Sequence, residues 1–259
     1  MNKKLTIVTA GLLLLVLAAG CALQPAGSNE ESDLRVGRTY TLRADIGAKR
    51  EPAAVSYAAP AFEAKSGQTY RIAELKDGFA RVEQSGWIPI WYFTKEIERV
   101  RSIQPEVRIV SQPVCVQIVP VPLSEAETAN CLNDPAAQKL KEGTVVRLLR
   151  SYDDKWYAVE FAGGESVLLA NQWQWVPASA LEPYSPEKAR DGRIRPGAIV
   201  YDVETKQPRT SAWRGYASIA EELPGSSVGL PDRIYKIYGS QGQSGYIRKE
   251  DFLPNPFEE

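Results

Sequence analysis

The sequence predicts a mainly β chain in which a short leader and a tether precede three small tandem modules of one design. Three observations carry this reading. A strand-like motif rich in aromatic and aliphatic residues recurs three times, as "GWIPIWYF" at 86–93, "QWVPASAL" at 174–181 and "GYIRKEDF" at 245–252. Upstream of each lies an acid followed by a short run of β-formers: "DGFARV" from Asp77, "DKWYAV" from Asp154 and "DRIYKI" from Asp232. The chain also opens on two lysines and an uncharged apolar run, a composition found nowhere else in it.

The opening has the layout of an export signal. Lys3 and Lys4 form a charged start, Leu5 to Ala19 an apolar stretch, and Ala18, Ala19 and Gly20 lead to Cys21. The apolar stretch is short for a bilayer span, which takes about 20 residues. "LAAGC" resembles the lipobox of bacterial lipoproteins, with Ala18 where that motif most often has Leu. The resemblance implies cleavage of residues 1–20 and lipidation of Cys21, which would hold the chain on the extracytoplasmic face of the cell membrane. Several acyl chains, at about 0.8 kcal/mol per buried methylene, anchor firmly where one does not. An uncleaved anchor or a cut elsewhere is the alternative. After Cys21, residues 22–33 lack apolar periodicity and carry three acids, so 21–33 reads as a flexible tether.

Composition narrows the function classes. The hydrophobic share of 44% with six Trp suits core-forming material. Net charge is −1, which gives no basis for nucleic-acid binding. Residues 34–101 nevertheless hold twelve basic against eight acidic side chains, so the segment nearest the anchor has a charge suited to anionic lipid headgroups. Beyond Cys21 only Cys115 and Cys131 remain, and two thiols in an exported chain are expected to pair. That bridge closes a loop of fifteen intervening residues, worth about 3 kcal/mol. A reactive thiol is the rival, and the chain has no His to serve as its base.

Each module reads the same way. In the closing motif an aromatic precedes a β-branched residue and, six places on, a large apolar one: Trp87/Phe93, Trp175/Leu181 and Tyr246/Phe252. In the upstream motif Phe79/Val82, Trp156/Val159 and Ile234/Ile237 hold equivalent places. The connections between the two motifs vary in length and are polar or Gly-rich, as hairpin loops are. "LRVG" at 34–37 and "IRPG" at 194–197 open the first and last modules, and "GQTYRI" at 67–72 matches "GTVVRL" at 143–148, with no evident third copy. Linkers are expected at 100–106 and 183–193, and helical turns after Ser185, from Asp134 to Gly143, and from Ser218 to Leu223.

These motifs in this order resemble the Src-homology-3-like barrel in its bacterial envelope version. The resemblance implies barrels at 34–101, 105–184 and 193–254, each ending in a strand that runs into a short 3₁₀ turn. In eukaryotic relatives the proline and tyrosine of the last motif line a peptide groove, which here maps onto Pro89 and Tyr92. No module keeps the whole set: Phe79 replaces the groove Trp in the first, Ala180 the Tyr in the second, and the third has Ile234, Arg248 and Asp251. Ile88, Phe93, Val176, Leu181, Ile247 and Phe252 are expected inside the barrels, with Trp87, Trp175 and Tyr246 as shared structural positions. Trp91 and Tyr92 have no aromatic counterparts in the other modules, so they, with Pro89, are the candidate contact residues. Trp173 and Trp175 share a strand face by the two-residue period.

Catalysis has little to stand on. Without His there is no Ser–His–Asp or Cys–His arrangement and no imidazole metal ligand. No phosphate loop is present, and the neighbouring acids Asp153/Asp154 and Glu221/Glu222 do not face each other. No enzymatic activity, metal or cofactor is expected. The expected function is non-catalytic binding in the cell envelope; resemblance to envelope barrels implies peptidoglycan or its peptides as ligand. An adaptor that docks another envelope protein is the alternative.

Overall fold

The computed structural model describes residues 34–257, apart from 56–59, 84–85, 162–172, 210–212, 214 and 240–241. The leader, Cys21 and the tether lie outside the described residues. No described helix is long and apolar enough to cross a membrane.

The β-formers of the first segment make β1 (Thr39–Thr41), β2 (Ile46–Ala48), β3 (Phe62–Ala64), β4 (Thr69–Lys76), β5 (Phe79–Val82) and β6 (Gly86–Pro89). The second segment forms β7 (Val100–Val110), β8 (Val114–Cys115), helix α1 (Glu125–Asn133), β9 (Lys139–Leu140), β10 (Val145–Tyr152), β11 (Trp156–Phe161), β12 (Trp175–Pro177) and β13 (Leu181–Pro183). The third holds β14 (Asp191–Ile194), β15 (Tyr216–Leu223), β16 (Ile234–Gly239), β17 (Ser244–Arg248) and β18 (Phe252–Leu253). The main sheets run β1-β4-β5-β6, β12-β11-β10-β7-β13 and β17-β16-β15-β14-β18, all with antiparallel neighbours. The fold class is mainly β, built from small antiparallel sheets, as the sequence predicts.

The recurrence in sequence is a recurrence in geometry. One eight-residue strand in each segment, β4, β10 and β15, breaks register at one place, between Ile72 and Glu74, Leu148 and Arg150, and Ile219 and Glu221. Such a bulge bends a strand and lets a small sheet curl over its own core. Each closing strand then enters a 3₁₀ turn, at Ile90–Phe93, Ala178–Ala180 and Lys249–Asp251. The closing aromatic also forms a bridge to an earlier loop: Trp87 to Lys49, Trp175 to Gln117 and Tyr246 to Tyr201. The missing third copy of the "GQTYRI" element is β15. Its Ile219 precedes the bulge as Ile72 and Leu148 do, but its turn glycine, Gly215, lies four residues upstream where Gly67 and Gly143 lie five. That deleted residue hides the match.

Alternation decides the cores. Ile72, Ile88 and Phe93 pack in the first, Leu148, Val159 and Val176 in the second, Ile237, Ile247 and Phe252 in the third. Complete burial of such a side chain stabilises by about 1.5–3 kcal/mol. Leu181 packs at the rim of the second core and is only half-buried.

Four expectations are corrected. Residues 100–106 are not a linker: they are the first half of β7, which pairs along both halves of β10. Pro105, lacking an N–H, falls in the gap between the pairs Ser102–Arg150 and Glu106–Leu148, where the ladder is interrupted. The helix expected from Asp134 ends there instead; α1 spans Glu125–Asn133, with Asp134 as its C-cap. Ser218–Leu223 is strand, because β15 pairs with β14 and β16 on its two sides and outweighs a local capping signal. After Ser185 there is a single turn, closed by Lys188 and Ala189 N–H groups on the Ser185 carbonyl.

Residues Leu34–Glu259 form one compact unit. Gln117 pairs with Val55 on one side and Trp175 on the other, carrying strand pairing from the first segment into the second. Arg190 N–H bonds the Gly143 carbonyl, and Phe257 packs on the Ile109–Val145 cluster, tying the third segment to the second.

Candidate functional site

The hairpin β4–β5 turns on Asp77 and Gly78, both at positive φ (48° and 77°), the two-residue geometry that matches strand twist. It presents Phe79, which pairs across the sheet with Pro89 at the end of β6. The 3₁₀ turn that follows separates neighbours in direction: Trp91 is half-buried at the rim, while Tyr92 is fully buried.

Facing these residues is a wall from the second segment. Ser124 caps α1, its Oγ accepting from Glu127 N–H at 3.3 Å while the Glu127 carboxylate accepts from Ser124 N–H at 2.8 Å. Hydrogen bonds from the Ser124 hydroxyl and backbone hold the Glu127 carboxyl below the usual carboxylate range. The far end of α1 is fixed by a disulfide from Cys131 to Cys115 on β8, the pairing expected from the cysteine count. Between the walls lies a cleft of about 400 Å³. Phe79, Pro89, Trp91, Val119 and Leu123 supply its apolar lining, and Glu127 and Asn130 its polar edge. Pro52, Ala53 and Val55 close another side. Its volume lies within the range of small-ligand sites, about 300–1,000 Å³.

Of the three candidate contact residues, Pro89 and Trp91 line this cleft. Tyr92 is corrected: its ring has 0% exposure and its hydroxyl donates to the Ile118 carbonyl at 3.0 Å. Burial pushes its phenol above the usual range. Its place in the sequence reflects a junction, since the turn after β6 closes against Ile118 of the second segment.

Behind Trp91 lies an aromatic cluster. Its ring meets Tyr92, Tyr152, Trp173 and Trp175 edge-on, with centroids 5.1–6.1 Å apart. Tyr152 donates to Glu96 Oε2 at 2.5 Å, and burial together with that carboxylate pushes its phenol up to about 12. Trp173 lies before β12, half-buried, with the Arg150 guanidinium 5.1 Å from its centroid. It packs with the inward Trp175 as expected, from outside the strand.

Sequence reasoning missed Val119, Pro122, Leu123 and Asn130. The "SEAE" stretch from Ser124 has capping-box spacing and would have located α1 and hence this wall. The acid pairs are engaged on the surface: Asp153 with Arg99, Asp154 with Arg101 and Ser151, Glu222 with Arg233 and Lys249. Among the described residues no cluster of three or more Cys, Asp or Glu has a metal-binding arrangement.

Fold and site together define a mainly β protein with a mixed apolar–polar cleft at the junction of its first two segments. No protein-family model matches the chain, and no curated protein matches it. Among solved structures it is similar to an NlpC/P60 family protein from Bacillus cereus, at 14% identity and a TM-score of 0.26, over 57% of this chain and 56% of that one. The chain thus spans little more than half the length of that protein.

Proposed function

We propose that the protein is a lipid-anchored, extracytoplasmic binding protein of Src-homology-3-like modules that takes a peptidoglycan stem peptide into the first cleft without chemical change. The observation that carries the reading is the cleft itself. The half-buried Trp91 offers an apolar face to an extended chain, backed by the buried Phe79 and Pro89 in the cleft wall. Across from them Glu127, kept ionised by its cap, suits the ammonium groups of such peptides. The lipobox-like "LAAGC" supports anchoring at Cys21. Docking of another envelope protein in the same cleft is the second reading, supported by its proline- and aliphatic-rich rim at Val121 and Pro122.

Sedimentation with purified cell-wall sacculi tests the choice. The wild type is expected to pellet, and Val121→Glu with Asn130→Trp, both at exposed positions, should weaken retention about tenfold. Failure of the wild type to pellet, with a crosslinked envelope protein in its place, establishes the docking reading and overturns the first. Cys21→Ser should release the chain from the membrane fraction.

A further inference from the structure

The two walls of the cleft are held in different ways. Phe79, Pro89 and Trp91 belong to the first sheet and to the turn that closes it. On the facing side every lining residue, from Val119 to Cys131, falls within the loop that the Cys115–Cys131 bridge closes.

Little besides the bridge seats this second wall. α1 has nine residues, and isolated helices shorter than about 12–15 residues are marginal in water. Of the nine only Cys131 is buried. It packs with Val55, Cys115 and Ala137 in a small cluster apart from the core around Leu148, Val159 and Val176. The capping box joins Ser124 to Glu127 and ties the helix to no other element. At the far end Lys139 Nζ donates to the Leu132 and Asp134 carbonyls, at 2.7 and 3.1 Å. The base of the loop, by contrast, is fixed without the bridge: Gln117 pairs with Val55 and Trp175, and the Ile118 carbonyl accepts from the Tyr92 hydroxyl. Opening the bridge would therefore free the wall beyond Ile118 and leave the strands beneath it in place. Cys115 and Cys131 are each only 2% exposed, and Cys131 is the one that lines the cleft, so a reductant reaches the bridge from there.

We infer that the Cys115–Cys131 bridge is a redox latch: oxidised, it holds α1 against the first segment, and opened by a dithiol it frees the wall and the cleft loses its ligand. In the opening step a thiolate of the dithiol attacks Cys131 Sγ, the bond to Cys115 Sγ breaks, and Cys115 leaves as a thiolate that takes up a proton. The second thiolate of the dithiol then displaces Cys131 from the mixed disulfide. The protein gains two thiols and the dithiol becomes a disulfide. What is released rests on the peptide reading above; the freeing of the wall does not.

Hydrogen exchange of the full chain, read by mass spectrometry, tests the latch with dithiothreitol as the dithiol and with Cys115→Ser paired with Cys131→Ser. Expected is exchange about tenfold faster across 119–133 in the reduced protein and in the serine pair, with β10 and β11 still protected. Reoxidation of the reduced protein should restore the protection. Unchanged exchange in 119–133 overturns the inference, because the wall then stands without the bridge. Loss of protection throughout β10 and β11 overturns it as well, because the bridge then holds the fold as a whole. So does a bridge that resists dithiothreitol in the folded protein. Pelleting with sacculi should weaken about tenfold in the serine pair, and full retention beside a freed wall also refutes the latch. If the oxidised wild type does not pellet, the peptide reading falls and the exchange result alone decides the latch.

Discussion

Trp91 and Tyr92 are adjacent, similar in chemistry and equally unexpected in the module pattern, yet one lines a cleft and the other seals a junction. A 3₁₀ turn rotates side chains by about a third of a turn per residue, so neighbours diverge. Sequence could mark both as special but not distinguish them, since the difference lies in the Ile118 carbonyl that receives the Tyr92 hydroxyl. Asp191 is a second residue whose role is invisible in sequence. Burial, opposed by hydrogen bonds from Ser218, Val145 and Thr144 and by the charge of Lys141, pushes its carboxyl up to about 6. The folded value lies above the unfolded one, about 3.9, so the fold favours the protonated acid. This contribution is greatest at acidic pH and is lost as pH rises from about 4 through 6. Stability to urea should therefore fall by on the order of 2 kcal/mol between about pH 4.5 and pH 7 on account of this group. Asp191→Asn should remove that slope. A slope unchanged by the substitution would assign it elsewhere. Asp202, held far below its usual range by backbone N–H groups of Thr205 and Glu204, acts with the opposite sign but only at lower pH.

At the scale of elements, the strands were read and the helix was missed, although Ser124 and Glu127 carry its capping box. Acid-turn-strand and strand-turn motifs depend on neighbours within eight residues, which sequence displays directly. The capping-box spacing of Ser218 and Glu221 pointed to a helical turn, and pairing of β15 to β14 and β16 chose the strand. Turn glycines show the same division between local and tertiary causes. Gly67 and Gly143 occupy equivalent turns with φ of +79° and +84°. An added Cβ at Gly67 meets open space, but at Gly143 it would lie 2.4 Å from Arg190 Cγ and 2.8 Å from the Lys188 carbonyl. Gly67→Ala should thus cost only the conformational penalty, about 1–2 kcal/mol. Gly143→Ala should cost clearly more and loosen the junction with the third segment. Urea melts of the two variants give the comparison, and equal losses would show that Arg190 yields without cost.

For the whole molecule, three look-alike segments suggest independent beads, and the structure joins them. Val55, Gln117 and Trp175 share strand pairing across the first junction, while Arg190, Asp191 and Phe257 hold the second. Thermal unfolding with the disulfide intact is expected as one cooperative transition, with calorimetric and van't Hoff enthalpies in agreement. Separate transitions would mean that these junctions contribute little. The cleft proposed for peptide binding is a product of this joining, because it takes one wall from the first segment and the facing wall from the second.

The sequence by itself determined the mainly β class, the threefold recurrence, the interior aliphatics and the Cys115–Cys131 pair, because each rests on alternation, turn chemistry or counting along the chain. Only the tertiary structure decided that residues 100–106 are strand, that Tyr92 is interior, and that Pro89 and Trp91 face α1 across a cleft. Those outcomes depend on contacts between residues far apart in the chain, where one register of packing is chosen over others that the local pattern allows equally.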